Sequence, residues 1–115
     1  MLKRVSAYAI VEAPLQLESY VESYQLVFSI HAGLRMSKWS IDEEDIQTVV
    51  DTGEVIEEYA HALPLPCQLM MGRTKGRIIH VVVARREATM RAIIITAYIP
   101  DLAKWEPDLR TRRKR

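Results

Sequence analysis

A histidine interrupts an otherwise apolar run in this sequence, and the residues expected beside it could give it a chemical role. Residues 77–86 read RIIHVVVARR, in which the β-branched residues typical of strands surround His80. Side chains alternate between the two faces of a strand. If residues 91–99, RAIIITAYI, form a hairpin with this run, the alternation places Thr96 and Tyr98 on the same face as His80.

Two interpretations of this group are open. A buried histidine that is hydrogen-bonded to Thr96 or Tyr98 would be structural, because buried polar groups usually find partners. Alternatively, His80 would act as a general acid or base, since histidine titrates near neutrality and hydroxyl groups beside it can position a phosphate.

His31 and Arg35 form a second candidate pair. They are four residues apart, so on a helix they point in the same direction. A cation beside a histidine could bind a phosphate or stabilise its transition-state charge, whereas a plain surface pair on a polar helix face is the alternative. The remaining histidine and the cysteine, His61 and Cys67, add no standard metal-ligand spacing, and we expect neither a metal nor a cofactor.

The elements that would position these residues are helices followed by strands. Ser29 is a plausible N-cap for a helix over IHAGLRMSKW, in which Ile30 and Leu34, and in some registers Met36, would face the core. The next stretch, SIDEEDIQTVVDTG, has a capping residue at Ser40 or Asp42, acidic residues in its first turn and Gly53 as its stop. Its core-facing residues would be Ile46, Val49 and Val50.

After Gly53 the hydrophobic period changes from 3.6 to 2, and four runs are typical of strands: EVIEEYA, CQLMMGR, RIIHVVVARR and RAIIITAYI. Helices followed by antiparallel strands predict an α+β fold, with the helices packed on one face of a roughly four-stranded antiparallel sheet. In the last run, the set expected beneath the helices is Ile93, Ile95, Ala97 and Ile99.

Charge is distributed unevenly along the chain. The net charge is +1, but residues 42–58 hold eight carboxylates and no Lys or Arg, while residues 110–115, RTRRKR, hold five positive charges. The body is therefore not a broadly cationic nucleic-acid binder. The basic tail is typical of a solubilising, disordered end, with a phosphate contact as the alternative. Trp105 is either a lid over the core or a platform on which a base could stack.

Location and organisation are constrained more loosely. No stretch approaches the roughly 20 apolar residues that span a bilayer, and the start of the chain does not resemble a signal peptide. The single cysteine excludes an internal disulfide and is compatible with a reducing compartment, so we expect a cytoplasmic protein without a membrane partner. Residues 1–23 would be an N-terminal extension, with an amphipathic helical pattern at 15–24, followed by one domain at 24–109 and the tail at 110–115.

From Tyr24 onward, the segments IHAGLRM, IDEEDIQTVVDTGEVIEEY, LPCQLMMGR, RIIHVVVA and IIITAYIPDLAKWEPDLRTRRK resemble, in order and spacing, a widespread prokaryotic family of domains of unknown function. That family is similar to the RelE, MqsR and BrnT toxins, and its genes often lie beside small zinc-finger antitoxins of the MqsA (YgiT) kind. The resemblance implies a RelE-like α+β fold and metal-independent RNA cleavage. The recurrent polar positions of the family correspond here to His31, Arg35, His80, Thr96 and Tyr98.

One departure from the family pattern concerns the end of the first helix. The family commonly has Glu-Arg-Gly-Ile after Arg-Met, whereas this chain has SKWSI, so that Trp39 replaces a second arginine and Ser40 replaces the glycine. If that arginine contacts phosphate, this protein would be a weakened enzyme or would bind RNA without cutting it.

Together these observations lead to the hypothesis of a toxin-type endoribonuclease acting on single-stranded RNA, with a small antitoxin as partner. His80 or His31 would supply the base and the acid, Arg35 would stabilise the phosphorane-like charge, and Thr96 and Tyr98 would orient the phosphate. The residues expected to bind RNA are Arg77, Trp105, Arg110, Arg112, Arg113 and Lys114. The alternative is a non-catalytic module that binds a protein or a nucleic acid, and a homo-oligomer is compatible with either hypothesis.

Overall fold

The computed structural model describes residues 23–63 and 65–114. The predicted extension at 1–23 and its helix at 15–24 therefore lie outside the described residues, except for the irregular backbone at Ser23 and Tyr24. None of the helices in the described part of the chain is long and apolar enough to cross a membrane.

Two helices and five strands make up the described chain. In chain order they are β1 (Gln25–Phe28), α1 (Ile30–Trp39), α2 (Glu43–Thr52), β2 (Glu54–Tyr59), β3 (Cys67–Thr74), β4 (Arg77–Arg86) and β5 (Arg91–Tyr98). The α+β class and the four predicted strands are confirmed. Pro100 follows the last strand and ends it, because proline cannot donate to a ladder.

The sheet has five strands in the order β1-β5-β4-β3-β2. Strands β2 to β5 are antiparallel neighbours as predicted, but β1 adds a fifth strand that runs parallel to β5. The sheet differs in these two details from the predicted, roughly four-stranded antiparallel sheet. The four residues of β1 are too few to show a period, and they form a strand because β5 provides a partner for them.

The first helix begins where it was predicted to begin but rotates a different face towards the core. The side chain of Ser29 accepts a hydrogen bond from the backbone N–H of Ala32 at 3.0 Å, which confirms the predicted N-cap. Ile30 and Leu34 are 86% and 66% exposed, so the prediction that they face the core was wrong. Ala32 and Met36 are buried instead, because the backbone N–H of Ser29 bonds to β5 and thereby sets the phase of the helix.

The second helix follows the sequence pattern closely. Asp42 is its N-cap and forms a reciprocal capping box with Asp45, three acidic residues occupy its first turn, and Gly53 ends it. The predicted core-facing residues are each 0% exposed: Ile46, Val49 and Val50. Both helices cover one face of the sheet, where their buried residues meet Ile79, Val81 and Val83 of β4.

A register shift in β5 alters which of its residues face the helices. Val82 pairs with Thr96 and Val83 pairs with Ile94, so that Ile95 has no partner opposite it. Before this bulge, the even-numbered residues Ala92 and Ile94 are buried in the core. Beyond it, the odd-numbered residue Ala97 is buried there instead. The prediction was therefore correct for Ala97 and for Ile99, which packs against the core, and wrong for Ile93 and Ile95. The shift precedes Thr96 and Tyr98, which lie on the His80 face as predicted.

Candidate functional site

His80 lies on the face of the sheet opposite the helices, and a short hairpin covers it. Residues 104–113, called the C-terminal hairpin below, form an isolated antiparallel bridge between Trp105 and Arg112. The ring of Trp105 stands edge-on to the ring of His80 with 4.6 Å between centroids. As a result His80 is 0% exposed and Trp105 only 2% exposed.

Both ring nitrogens of His80 have partners. Nε2 is 2.6 Å from the carbonyl oxygen of Leu109, and Nδ1 is 3.3 Å from the hydroxyl of Tyr98, which sits directly opposite on β5. A carbonyl only accepts, so Nε2 carries the proton and Nδ1 accepts from the Tyr98 hydroxyl. Burial lowers the pKa of His80 and raises the pKa of Tyr98 to about 12, which favours the neutral imidazole and the protonated phenol. This geometry is the one that the structural interpretation of His80 requires.

A tight turn aims the Leu109 carbonyl at His80. Asp108 accepts hydrogen bonds from the backbone N–H groups of Arg110 and Thr111 at 2.9 and 3.0 Å and also binds the Thr111 hydroxyl. Leu109 itself adopts the left-handed region at φ 58°, a conformation uncommon for a residue with a Cβ. The turn therefore holds an unfavourable backbone conformation at the contact with the histidine.

Ion pairs fasten the hairpin to the acidic strand β2. Arg110 contacts Glu54 at 2.6 Å, and Arg112 makes a two-point contact with Glu57 at 2.8 and 3.2 Å. Burial would raise the pKa of Glu57, but hydrogen bonds from Arg112 and Tyr59 outweigh it and lower that pKa. The prediction of a disordered tail therefore fails for residues 110–114, whose arginines neutralise part of the acidic block in the same chain.

The residues predicted to bind RNA are mostly engaged within the protein. Arg77 donates to the carbonyl oxygen of Trp39 at 3.0 Å and approaches Asp45 at 3.4 Å, and Arg113 contacts Glu106 at 3.3 Å. Lys114 is exposed and makes no ion pair within residues 23–63 and 65–114. Arg110 and Arg112 are engaged in the ion pairs described above. Trp105 is buried, so the hairpin presents no exposed indole on which a base could stack.

The two histidines proposed to act together are on opposite sides of the sheet. His31 is exposed on α1, in the helical layer, whereas His80 lies beneath the C-terminal hairpin. A mechanism in which one supplies the base and the other the acid at a single phosphate is therefore incompatible with this structure. Arg35, one turn after His31 on the same helix, is half-buried.

Arg35 and Tyr98 do meet, in a cleft between the end of α1 and the C-terminal hairpin. The cleft, called the basic cleft below, has a volume of about 390 Å³. Its lining consists of Arg35, Lys38, Trp39, Tyr98, Ile99, Asp101, Lys104, Trp105 and Arg112. It thus combines four cations and three aromatic residues with a single carboxylate. Within the described residues, Arg35, Lys38 and Lys104 make no ion pair.

Trp39, which replaces an expected arginine, forms part of this cleft. Its indole N–H is buried and has no hydrogen-bond partner among the described residues, and the Lys38 ammonium lies 5.5 Å from its ring centroid. Sequence reasoning did not single out Lys38 or Lys104. Each precedes a tryptophan directly, in KW at 38–39 and again at 104–105, and this repeated pair is the signal that could have found them.

The predicted residue Thr96 and the remaining histidine, His61, stand apart from the cleft. Thr96 lies opposite Val82 on the His80 face but does not line the cleft. His61 is exposed in the loop after β2. Across the part of the chain that the structure describes, no three His, Cys, Asp or Glu side chains are grouped as metal ligands would be.

The fold and the cleft define a small α+β protein with two helices on one face of a mixed sheet and a covering hairpin on part of the other. Residues 28–99 match the family model described as Domain of unknown function (DUF4258). This match covers more than half of the chain, so the protein belongs to that family. No curated protein and no solved structure matches the chain. The matched region stops before the C-terminal hairpin, so the basic cleft joins family residues to residues outside the match.

Proposed function

We propose that this protein binds single-stranded RNA in the basic cleft and is the toxin-type component of a toxin–antitoxin pair, acting in the cytoplasm as a metal-independent endoribonuclease. The observation that carries the proposal is a group of three cations, Arg35, Lys38 and Lys104, that have no ion-pair partners among the described residues and lie beside aromatic side chains in one cleft. The resemblance to the RelE, MqsR and BrnT toxins supports the same class. The partner would be a small antitoxin, and the same resemblance favours one of the zinc-finger type.

The composition of the cleft suits RNA better than an isolated anion. Guanidinium and ammonium groups bind phosphate oxygens through charge-assisted hydrogen bonds, and successive phosphates require several cations. Unstacked bases pack against aromatic faces, which Trp39 and Tyr98 would offer here. Duplex regions lack such splayed bases, so a single-stranded segment is the favoured substrate.

The chemical step would use the ribose 2′-hydroxyl as nucleophile. Its oxygen would attack the adjacent phosphorus and its proton would pass to His31, one turn before Arg35 on α1, while the 5′-oxygen leaves and takes a proton from water, giving a 2′,3′-cyclic phosphate and a free 5′-hydroxyl. Arg35 would stabilise the charge that accumulates on the phosphate oxygens. Because both nitrogens of His80 are occupied, its role in this scheme is to orient the Tyr98 hydroxyl at the cleft.

A second candidate function, RNA binding without cleavage, is favoured by two specific observations. His80 has no free ring nitrogen, and Trp39 stands where the family resemblance led us to expect an arginine. In that case the protein would be a regulator that binds RNA in the cleft, and the cations of the cleft would contribute to affinity alone.

One set of measurements tests both functions. Full-length protein is titrated into labelled single-stranded RNA with EDTA present, and the products are analysed for cyclic phosphate ends. Arg35→Glu should weaken binding about tenfold or more, whereas Arg73→Glu, an exposed arginine of β3 outside the cleft, should change it little.

The outcomes distinguish the candidates. Cyclic phosphate ends that are lost in His31→Ala, with binding retained, support the endoribonuclease. Binding that depends on Arg35 without any fragments supports the regulator. Binding that is absent, or equally weakened by the Arg73 control, refutes both. An all-deoxy version of the oligonucleotide should bind but remain intact, because it lacks the nucleophile.

A further inference from the structure

A second surface, distinct from the basic cleft, lies on the part of the sheet that the C-terminal hairpin leaves open. It is a groove of about 440 Å³ lined by residues of β1, β5 and β4, by the turn after β4, and by Leu65 and Pro66. We call it the edge groove, because β1 is the edge strand of the sheet.

The strand register shows how the groove is built. In one row across the sheet, Val27 of β1 lies beside Ile93 of β5, which lies beside Ala84 of β4. Two residues further along and on the same face, Arg91 of β5 is directly opposite Arg86 of β4. The groove therefore has an apolar floor and a cationic end, and Val27 is 41% exposed although it is a large apolar residue.

The two facing arginines are unfavourable as they stand. Like charges directly opposite each other on neighbouring strands destabilise a sheet. Both are exposed, and among the residues that the structure describes neither makes an ion pair and no carboxylate lines the groove. An anionic group bound between Arg86 and Arg91 would relieve this repulsion, so the pair indicates a negatively charged partner.

The free edge of β1 and the apolar floor indicate what kind of partner this is. Strand β1 pairs with β5 on one side, and no other strand of the described chain pairs with its second side. An extended peptide can add to such an edge through main-chain hydrogen bonds, with alternate side chains directed into the groove. Among the described residues no aromatic side chain lines this groove, whereas three line the basic cleft, so these residues give it no stacking surface of the kind that single-stranded RNA uses.

A second copy of this chain fits the groove less well than a separate partner. The acidic strand of the protein is β2, and two of its carboxylates, Glu54 and Glu57, are already paired with arginines of the C-terminal hairpin. We therefore infer that the edge groove binds an extended segment of a partner protein in which acidic and apolar residues alternate, added as a strand beside β1. This inference does not depend on the RNA proposal.

Binding of defined peptides to full-length protein tests the inference. The probe is a short labelled peptide of alternating valine and glutamate, followed by fluorescence anisotropy. The double variant Arg86→Glu with Arg91→Glu should weaken binding about tenfold or more, while Arg73→Glu should leave it unchanged. A valine and lysine peptide should not bind to the wild type, and a peptide N-methylated at alternate residues should bind much more weakly, because it cannot complete the strand ladder.

Several results would overturn the inference. Peptide binding that is indifferent to the two arginine reversals would do so, as would equal binding of the N-methylated peptide. RNA binding that is lost in the double variant would identify the groove as a nucleic-acid site. A dimer of the wild type that dissociates in the double variant, seen by sedimentation, would identify the occupant as a second copy. The RNA proposal is tested with Arg35→Glu and RNA binding, whereas this inference is tested with the Arg86 and Arg91 variants and peptide binding. A failure of one can therefore be distinguished from a failure of the other.

Discussion

Replacing His80 by alanine tests whether its ring fastens the C-terminal hairpin to the sheet. The substitution removes a fully buried ring and two hydrogen bonds, one to the Leu109 carbonyl at 2.6 Å and one from the Tyr98 hydroxyl at 3.3 Å. Each bond contributes about 1 kcal/mol net, and burial of the ring adds about 1 to 2 kcal/mol. The expected loss of stability in His80→Ala is therefore about 3 to 4 kcal/mol.

The ion pairs of the hairpin are too weak to compensate, and the edge-on contact of Trp105 is lost together with the His80 ring. Arg110 with Glu54 and Arg112 with Glu57 are ion pairs at a surface where most of the partners are about half exposed. Such pairs contribute about 0 to 1 kcal/mol each. We therefore expect the hairpin of His80→Ala to detach locally before the helices and the sheet unfold, since the core on the opposite face is untouched.

Hydrogen exchange and tryptophan quenching measure this detachment. Amides of residues 109–113 should exchange at least tenfold faster in His80→Ala, and acrylamide quenching of Trp105 should rise, while amides of α2 keep most of their protection. His61→Ala, at an exposed loop position, is the matched control and should change neither. Unaltered exchange in the hairpin, together with a stability loss below about 1 kcal/mol, would refute the view that His80 holds it.

Three other predictions concern pH and the backbone. Burial lowers the pKa of His80, so the unfolded chain binds a proton at this residue more readily than the folded protein does. The free energy of unfolding should therefore fall as the pH drops below about 6.5. Urea titrations at several pH values measure this dependence, and His80→Gln should flatten it. Gly33→Ala should raise the free energy of unfolding by about 0.5 to 1 kcal/mol, since a Cβ there meets nothing within 4 Å. Gly53→Ala should instead lower it by several kcal/mol or prevent folding, because its Cβ would lie 2.6 Å from the Met71 carbonyl oxygen. Ser29→Ala should lower the free energy of unfolding by about 1 kcal/mol through loss of the α1 N-cap. Thermal unfolding checks both substitutions: a Gly33→Ala variant less stable than the wild type, or a Ser29→Ala variant as stable as the wild type, would contradict these assignments.

The helices and the central strands were predictable because their signals are local. A capping residue, acidic residues in the first turn and a 3.6-residue apolar period describe α2 without any knowledge of its neighbours. Alternation predicted that His80, Thr96 and Tyr98 share a face. It failed for Ile93 and Ile95 because a bulge changes the period within β5, and the residue types around a bulge do not differ from those of a regular strand.

The site itself depended on contacts between distant parts of the chain. The basic cleft joins Arg35 and Trp39 to Lys104 across more than sixty residues, and no local pattern relates those positions. The same is true of the basic tail. Its composition suggested disorder, but Arg110 and Arg112 each find a glutamate on β2, more than fifty residues earlier, with the geometry needed to pair.

The sequence by itself determined the class of fold, the limits of most elements and the unusual polar character of one strand face. These properties follow from period, capping and composition, which act over a few residues. Only the tertiary structure decided that His80 is a buried anchor rather than an exposed acid or base, and that Arg35 and Tyr98 share a cleft while His31 and His80 do not. The reason is physical: whether a histidine is available for chemistry depends on what covers it, and Leu109 and Trp105 reach His80 from a segment about thirty residues away.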